Sequence, residues 1–145
     1  MTSPTNVQAT LARAVAAHRA GNFAEAEFLY KLVLQADKKQ FDALHMLAVI
    51  EGQRGNFQAA LGRIREATRL KPKSIDALIN LGRIQAELGD YDNAAASYKK
   101  ALALDPQSAL AHSNLSIVLL KQGQQDAALQ HCNSAVAIAP NYAEA

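Results

Sequence analysis

Apolar and small residues return along this chain at helical spacing, in blocks of about a dozen residues punctuated by glycine or proline. In the stretch opened by Ser74, the residues Leu78, Leu81, Ile84, Gln85 and Leu88 share one helical face. Ser74 is placed to cap the first turn, and Asp76 sits where the helix N-terminus favours negative charge. Gly89 is the expected stop, because a left-handed backbone costs glycine little and other residues about 1–2 kcal/mol. A second stretch from about Tyr91 to Leu104 puts Ala94, Tyr98 and Ala101 on one face. It should end at Asp105-Pro106, since proline biases the residue before it away from helical dihedrals. The pattern predicts two helices separated by a glycine turn.

That two-helix unit recurs. The tripeptides Gly21-Asn22-Phe23, Gly55-Asn56-Phe57, Gly89-Asp90-Tyr91 and Gly123-Gln124-Gln125 are spaced 34 residues apart. Pro72, Pro106 and Pro140 keep the same period, as do Ala26, Ala60, Ala94 and Ala128, and also Val33, Ala67, Ala101 and Ala135. The units run 7–40, 41–74, 75–108 and 109–142. Small residues where helices cross let the backbones approach, and larger ones there would overpack by about 1–3 kcal/mol. Tyr98, with Tyr30 and Ile64 in the same column, is expected to fill the space beside them.

On these motifs the chain resembles the tetratricopeptide-repeat family over residues 7–142, with the third unit matching best through Leu78, Leu81-Gly82, Gly89-Asp90-Tyr91, Ala94, Tyr98, Ala101 and Pro106. The resemblance implies an all-α fold, an α-α superhelix in which helix-turn-helix repeats form a right-handed solenoid. Residues 1–6 read as a polar leader before the first helix. The first unit carries Thr10 and Arg13 where later units have leucine, which suits an N-terminal helix with no preceding repeat, and Lys38 stands where proline is expected. The fourth unit departs from the pattern at His112, Gln125 and Cys132. Asn141 to Ala145 read as the opening of a further helix, with Asn141 as cap and residues 143–145 as its truncated start. The expectation is either a fragment of a longer protein or an exposed apolar end, formed by Leu115, Val118, Leu119 and Cys132, that another molecule covers.

Composition narrows the function classes. Half of the 145 residues are hydrophobic, only 6% are aromatic and there is no tryptophan, which disfavours a β-sandwich or barrel. A charged fraction of 19% and a net charge of +2 disfavour disorder and give no general case for nucleic acid. One cysteine makes no internal disulfide, no apolar run is long enough for a membrane span, and no signal-peptide pattern opens the chain, so the expected location is cytoplasmic. Glycines are dispersed and no nucleophile-elbow or phosphate-loop motif occurs, so neither catalysis nor a cofactor is expected. His112 and Cys132 could face each other within one helical pair, with His131 turned away by about 100°. Zinc wants three or four convergent ligands, so no metal is expected and the pair reads as a partly buried histidine and a buried cysteine. Arg63, Arg65, Arg69, Lys71 and Lys73 make a basic cluster, readable as a patch for an acidic partner or as a solvated face. It lacks the interleaved aromatics that stack bases.

The family resemblance implies a working surface: first helices line a concave groove that holds a peptide or protein segment. Carried over by position, the groove candidates are Leu11, Val15 and Arg19 in the first unit and Asp42, His45, Met46 and Val49 in the second. The third offers Asp76, Ile79, Asn80 and Arg83, and the fourth Ser113, Asn114, Ile117 and Lys121. For Leu11, Ile79 and Ile117 the alternative is packing between neighbouring helices. The basic residues of a carboxylate clamp for chaperone tails are missing at the leading positions. Asn80 and Asn114 occupy equivalent positions and resemble two rungs of the asparagine ladder of O-linked N-acetylglucosamine transferases, broken by Met46 and Ala12. The expected function is a non-catalytic scaffold that binds a protein or peptide. The alternatives are a self-associating array, aided by +5 on the first two units against −3 on the remainder, and the substrate-selecting arm of a downstream glycosyltransferase.

Overall fold

The computed structural model describes residues 4–140, with side chains described from Asn6 onward. The described residues form eight α-helices: α1 (Pro4–Arg19), α2 (Phe23–Ala36), α3 (Phe41–Gln53), α4 (Phe57–Leu70), α5 (Ile75–Glu87), α6 (Tyr91–Leu104), α7 (Ala109–Lys121) and α8 (Gln125–Ile138). None of them is long and apolar enough to cross a membrane. The first helix begins at Pro4, so the polar leader expected over residues 1–6 already contributes a helical turn. Proline is well suited to a first turn, where its missing N–H is no loss. The Thr10 hydroxyl donates to the Asn6 carbonyl at 2.8 Å, which ties that turn down. Asn141 to Ala145, expected to open another helix, lie outside the described residues.

The turn chemistry follows the repeat. Ser74 Oγ accepts from Ala77 N at 3.3 Å and Ser108 Oγ from Ala111 N at 3.2 Å, and Gln40 Oε1 does the same for Ala43 N at 3.1 Å. Each first helix ends on a glycine with φ between 77° and 82°: Gly21, Gly55, Gly89 and Gly123. In the third repeat Asp90 N donates to Gln85 O at 2.9 Å and Gly89 N to Ala86 O at 3.0 Å, the double bond of a Schellman close. Asp105 then stops α6 in extended backbone, and its Oδ1 accepts from Gln107 N at 3.1 Å. The first repeat makes the same aspartate turn at Asp37, with Lys39 N donating at 3.1 Å, although Lys38 replaces proline. An aspartate that bonds its own backbone two residues on is sufficient there.

The chain divides into two compact units, at Lys71 and Pro72. In the first, α1 packs on α2, α2 on α3 and α3 on α4. Val7, Leu11, Ala14, Ala17, Leu29 and Tyr30 belong to its core. Glu27 on α2 accepts from Lys31 at 2.9 Å and pairs with Arg54 at the end of α3, and Glu51 of α3 pairs with Arg63 of α4. The Lys31 hydrogen bond holds the Glu27 carboxyl below its ordinary range.

In the second unit α5 packs on α6, α6 on α7 and α7 on α8, and α5 also touches α7. Ala94, Ala101, Ala111 and Leu115 are buried at the crossings. Tyr98 lies in the same core, and a Cβ added to Gly82 would sit 2.6 Å from its Cε1. Glycine is therefore required at residue 82 by the ring above it, not by its backbone angle. Burial pushes the Tyr98 phenol far above its ordinary pKa. Gln85 and Ser97 are a buried polar pair linking α5 to α6, with Ser97 Oγ donating to Gln85 Oε1 at 2.7 Å.

Two expectations for the fourth repeat are overturned. Leu115, Val118 and Leu119 are buried, whereas Cys132 is exposed, so they do not share an open apolar end. The α8 side chains left bare are Leu129 at 60% exposure and Val136 at 39%, which flank Cys132 on one helical face. Nor does His112 face Cys132: its Nδ1 lies 3.0 Å from Nδ1 of His131. The residue adjacent to the expected one points across, because Cys132 continues the column of Tyr98 while His131 continues that of Ser97, which already faces the first helix.

Candidate functional site

Within each unit the candidates on the first helices differ in accessibility. Three of the candidates are interior: Leu11 is buried with Ala14 and Tyr30 in the first unit, His45 is buried against the Phe41 ring with centroids 5.6 Å apart, and Ile79 is buried with Tyr98 in the second unit. These three cannot meet a ligand, because a first helix packs against its own second helix and the neighbouring one, and so buries more than a single stripe. For Leu11 and Ile79 the packing alternative holds. Ile117 goes the other way and is 55% exposed.

The remaining candidates are accessible in part or in full. In the first unit Val15, Met46 and Val49 are half-buried, while Arg19 and Asp42 are exposed. In the second unit Asn80, Ser113 and Asn114 are half-buried, and Asp76, Arg83 and Lys121 are exposed. Since α5 and α7 touch, the second unit brings Asn80 and Asn114 onto adjacent first helices. Among the described residues Asn114 Nδ2 is a buried donor with no hydrogen-bond partner. A buried unpaired amide donor costs about 1–3 kcal/mol, so the side chain gains by turning toward any acceptor that reaches it. Isoleucine, amide and charge at short intervals suit a segment bound through its main chain with one apolar side chain inserted.

Several titratable groups in the helical pairs have pKa values displaced for structural reasons. Burial lowers His18, whose Nδ1 is 3.3 Å from the Tyr30 hydroxyl and whose ring stands edge-on to Phe23. Burial also raises Tyr30, and the Arg69 hydrogen bond lowers Glu66. That pairing takes Arg69 out of the basic cluster, while Lys71 lies over the Phe41 ring at 4.5 Å. Among the described residues no three His, Cys, Asp or Glu side chains gather as a metal site.

Some features of the helical pairs were not anticipated from the residues. Glu51–Arg63 and Gln85–Ser97 occupy the same two columns of the repeat. In the first repeat those columns hold Ala17 and Leu29. Over the first three repeats the two positions switch together from apolar to polar, a signal visible at the 34-residue period once both columns are compared, and the fourth departs from it with Leu119 and His131.

Comparison with known proteins places this architecture. A family model described as TPR repeat matches residues 82–123, and one described as Tetratricopeptide repeat matches residues 7–27. A third, described as Anaphase-promoting complex, cyclosome, subunit 3, matches residues 19–101, more than half of the chain. No curated protein matches. The crystal structure of MamA is 22% identical with a TM-score of 0.87, covering 99% of this chain and 84% of that one. YrrB, described as a TPR protein with an unusual peptide-binding site, is 20% identical with a TM-score of 0.87, covering 94% of this chain and 71% of its own. At these identities the likeness is one of fold: all-α, built of helix-turn-helix repeats.

Proposed function

We propose, from the premise that this chain belongs to the tetratricopeptide-repeat family, that it is a non-catalytic interaction module which holds an extended peptide segment against its first helices. The observation that carries the reading is the pair of equivalent asparagines on touching helices, with Asn114 Nδ2 left without a partner among the described residues. A main-chain carbonyl of a bound segment would satisfy that donor, and Ile117 one turn along supplies exposed apolar area for a side chain. Arg83 and Lys121 against Asp76 would set the direction of the segment. The peptide-binding site described for YrrB, a protein of the same fold, supports the same class of ligand.

A peptide-library screen against the full chain, followed by Asn114→Ala and Ile117→Ser, tests this. Each substitution is expected to weaken the selected peptide by about tenfold with helicity retained, the scale of one hydrogen bond or one small apolar contact. Unchanged affinity in both variants places the ligand elsewhere.

A second reading is self-association through α8, favoured by the exposure of Leu129 and Val136 beside Cys132. Light scattering over a concentration series decides it: Leu129→Glu should abolish any dimer, and a wild-type chain that stays monomeric at the highest concentration removes the reading.

A further inference from the structure

His112 on α7 and His131 on α8 lie with ring centroids 5.2 Å apart and planes inclined by 30°, and their Nδ1 atoms are 3.0 Å apart. The other nitrogen of His112, Nε2, is 2.9 Å from the Pro106 carbonyl oxygen in the turn before α7. A carbonyl only accepts, so His112 Nε2 carries a proton there. In a neutral ring that leaves Nδ1 as the acceptor, and the shared proton must come from His131. Donors therefore run in one direction, from His131 Nδ1–H to His112 Nδ1, and from His112 Nε2–H to Pro106 O.

We propose that this imidazole pair is an acid-sensitive clasp on the last helical pair: it holds α8 to α7 and to the preceding turn at neutral pH, and opens when both rings are protonated. The first extra proton enters at His131 Nε2 and leaves the bridging Nδ1–H in place, but it sets a half-buried cation near Lys99. The next has only His112 Nδ1 to occupy. Two N–H groups then face each other across the 3.0 Å gap, on two stacked cations. The charges facing His131 add to the repulsion: they are His112 from α7 and Lys99 from α6. Burial, first, and then those two charges hold the His131 imidazole below its ordinary value. In the folded state His131 resists a proton that the unfolded chain accepts once pH falls through about 6.5. The clasp contribution is thus complete above that pH and is lost as pH falls toward the lowered folded value.

Position in the repeat makes the device specific to α7 and α8. The column of His112 holds Leu44 and Leu78 in the two preceding repeats, and both are buried, so their contacts do not titrate. The column of His131 holds Arg63 and Ser97, each already paired across the helices.

Amide hydrogen exchange on the full chain, corrected for the intrinsic rate, reads the clasp locally, which matters because His18 also titrates in the other unit. Protection of α8 amides is expected to fall about tenfold between about pH 7.5 and about pH 5. In His131→Gln, which keeps a polar side chain without the titration, that fall should disappear. An equal fall in His131→Gln, or no fall in the wild type, overturns the proposal. Imidazole nitrogen spectra of the unmodified protein give an independent reading. At neutral pH His112 Nδ1 should be unprotonated and His131 Nδ1 protonated, and a proton on His112 Nδ1 overturns the clasp whatever the variant does.

Discussion

The helical pairs α5/α6 and α7/α8 share one 34-residue template and fill its central contact in opposite ways. In α5/α6 the large residue is on the second helix: Tyr98 covers Gly82 so closely that no Cβ fits. In α7/α8 the same two places hold Cys132 and Ser116. Cysteine is small and turns to solvent, and the room beneath it admits a hydroxyl, whose Oγ donates to the Ala128 carbonyl at 2.8 Å. The polar link between the helices also moves. Gln85 and Ser97 bond within the core of α5/α6, whereas in α7/α8 Leu119 replaces the glutamine and His131 finds His112 instead. One backbone thus accepts two solutions, provided that bulk on one helix is matched by its absence on the other.

Substitutions can break that comparison. The largest effect is expected at the ring: Tyr98→Ala should cost about 3–5 kcal/mol in chemical unfolding, whereas Cys132→Ala in the equivalent column should stay within about 0.5 kcal/mol. Equal costs would mean that the two pairs are packed alike. Next comes Gly82→Ala, which should cost about 1–3 kcal/mol through overpacking against Tyr98. In a Tyr98→Ala background the same change should become neutral or stabilising, because alanine then brings only its higher helix propensity, worth up to about 1 kcal/mol. A cost independent of residue 98 would point to backbone rather than ring as the cause. Smallest is Ser97→Ala, expected near 1–2 kcal/mol, since Gln85 would be left buried without its donor. A neutral result there would mean that water replaces the hydroxyl.

Much of this was readable beforehand, and the reason is periodicity. Several columns repeating at one spacing constrain one another, so the boundaries of α6, the cap at Ser74 and the stop at Gly89 all follow from local chemistry. The site was less legible. Position alone marks which residues lie on first helices, but it does not separate Ile79, which packs inward, from Ile117, which is exposed. They stand in different columns of the repeat, Ile79 in that of Ser113 and Ile117 in that of the exposed Arg83, and only the packed helices reveal which column is covered. His131 was misplaced for a related reason: adjacent helical residues diverge by about 100°, and which of the two faces α7 depends on the register between two helices.

The sequence by itself determined the helices of the third repeat, the glycine stops and the 34-residue period with its small-residue columns, because each of these is decided within a turn or two of chain by backbone angles, capping and helical spacing. Tertiary structure alone decided which first-helix residues are buried, that Cys132 is open, that Gly82 lies under Tyr98, and that two histidine rings meet at 3.0 Å. Those outcomes depend on volumes and directions of side chains from different helices meeting within an ångström, and a pattern of residue types carries no such distance.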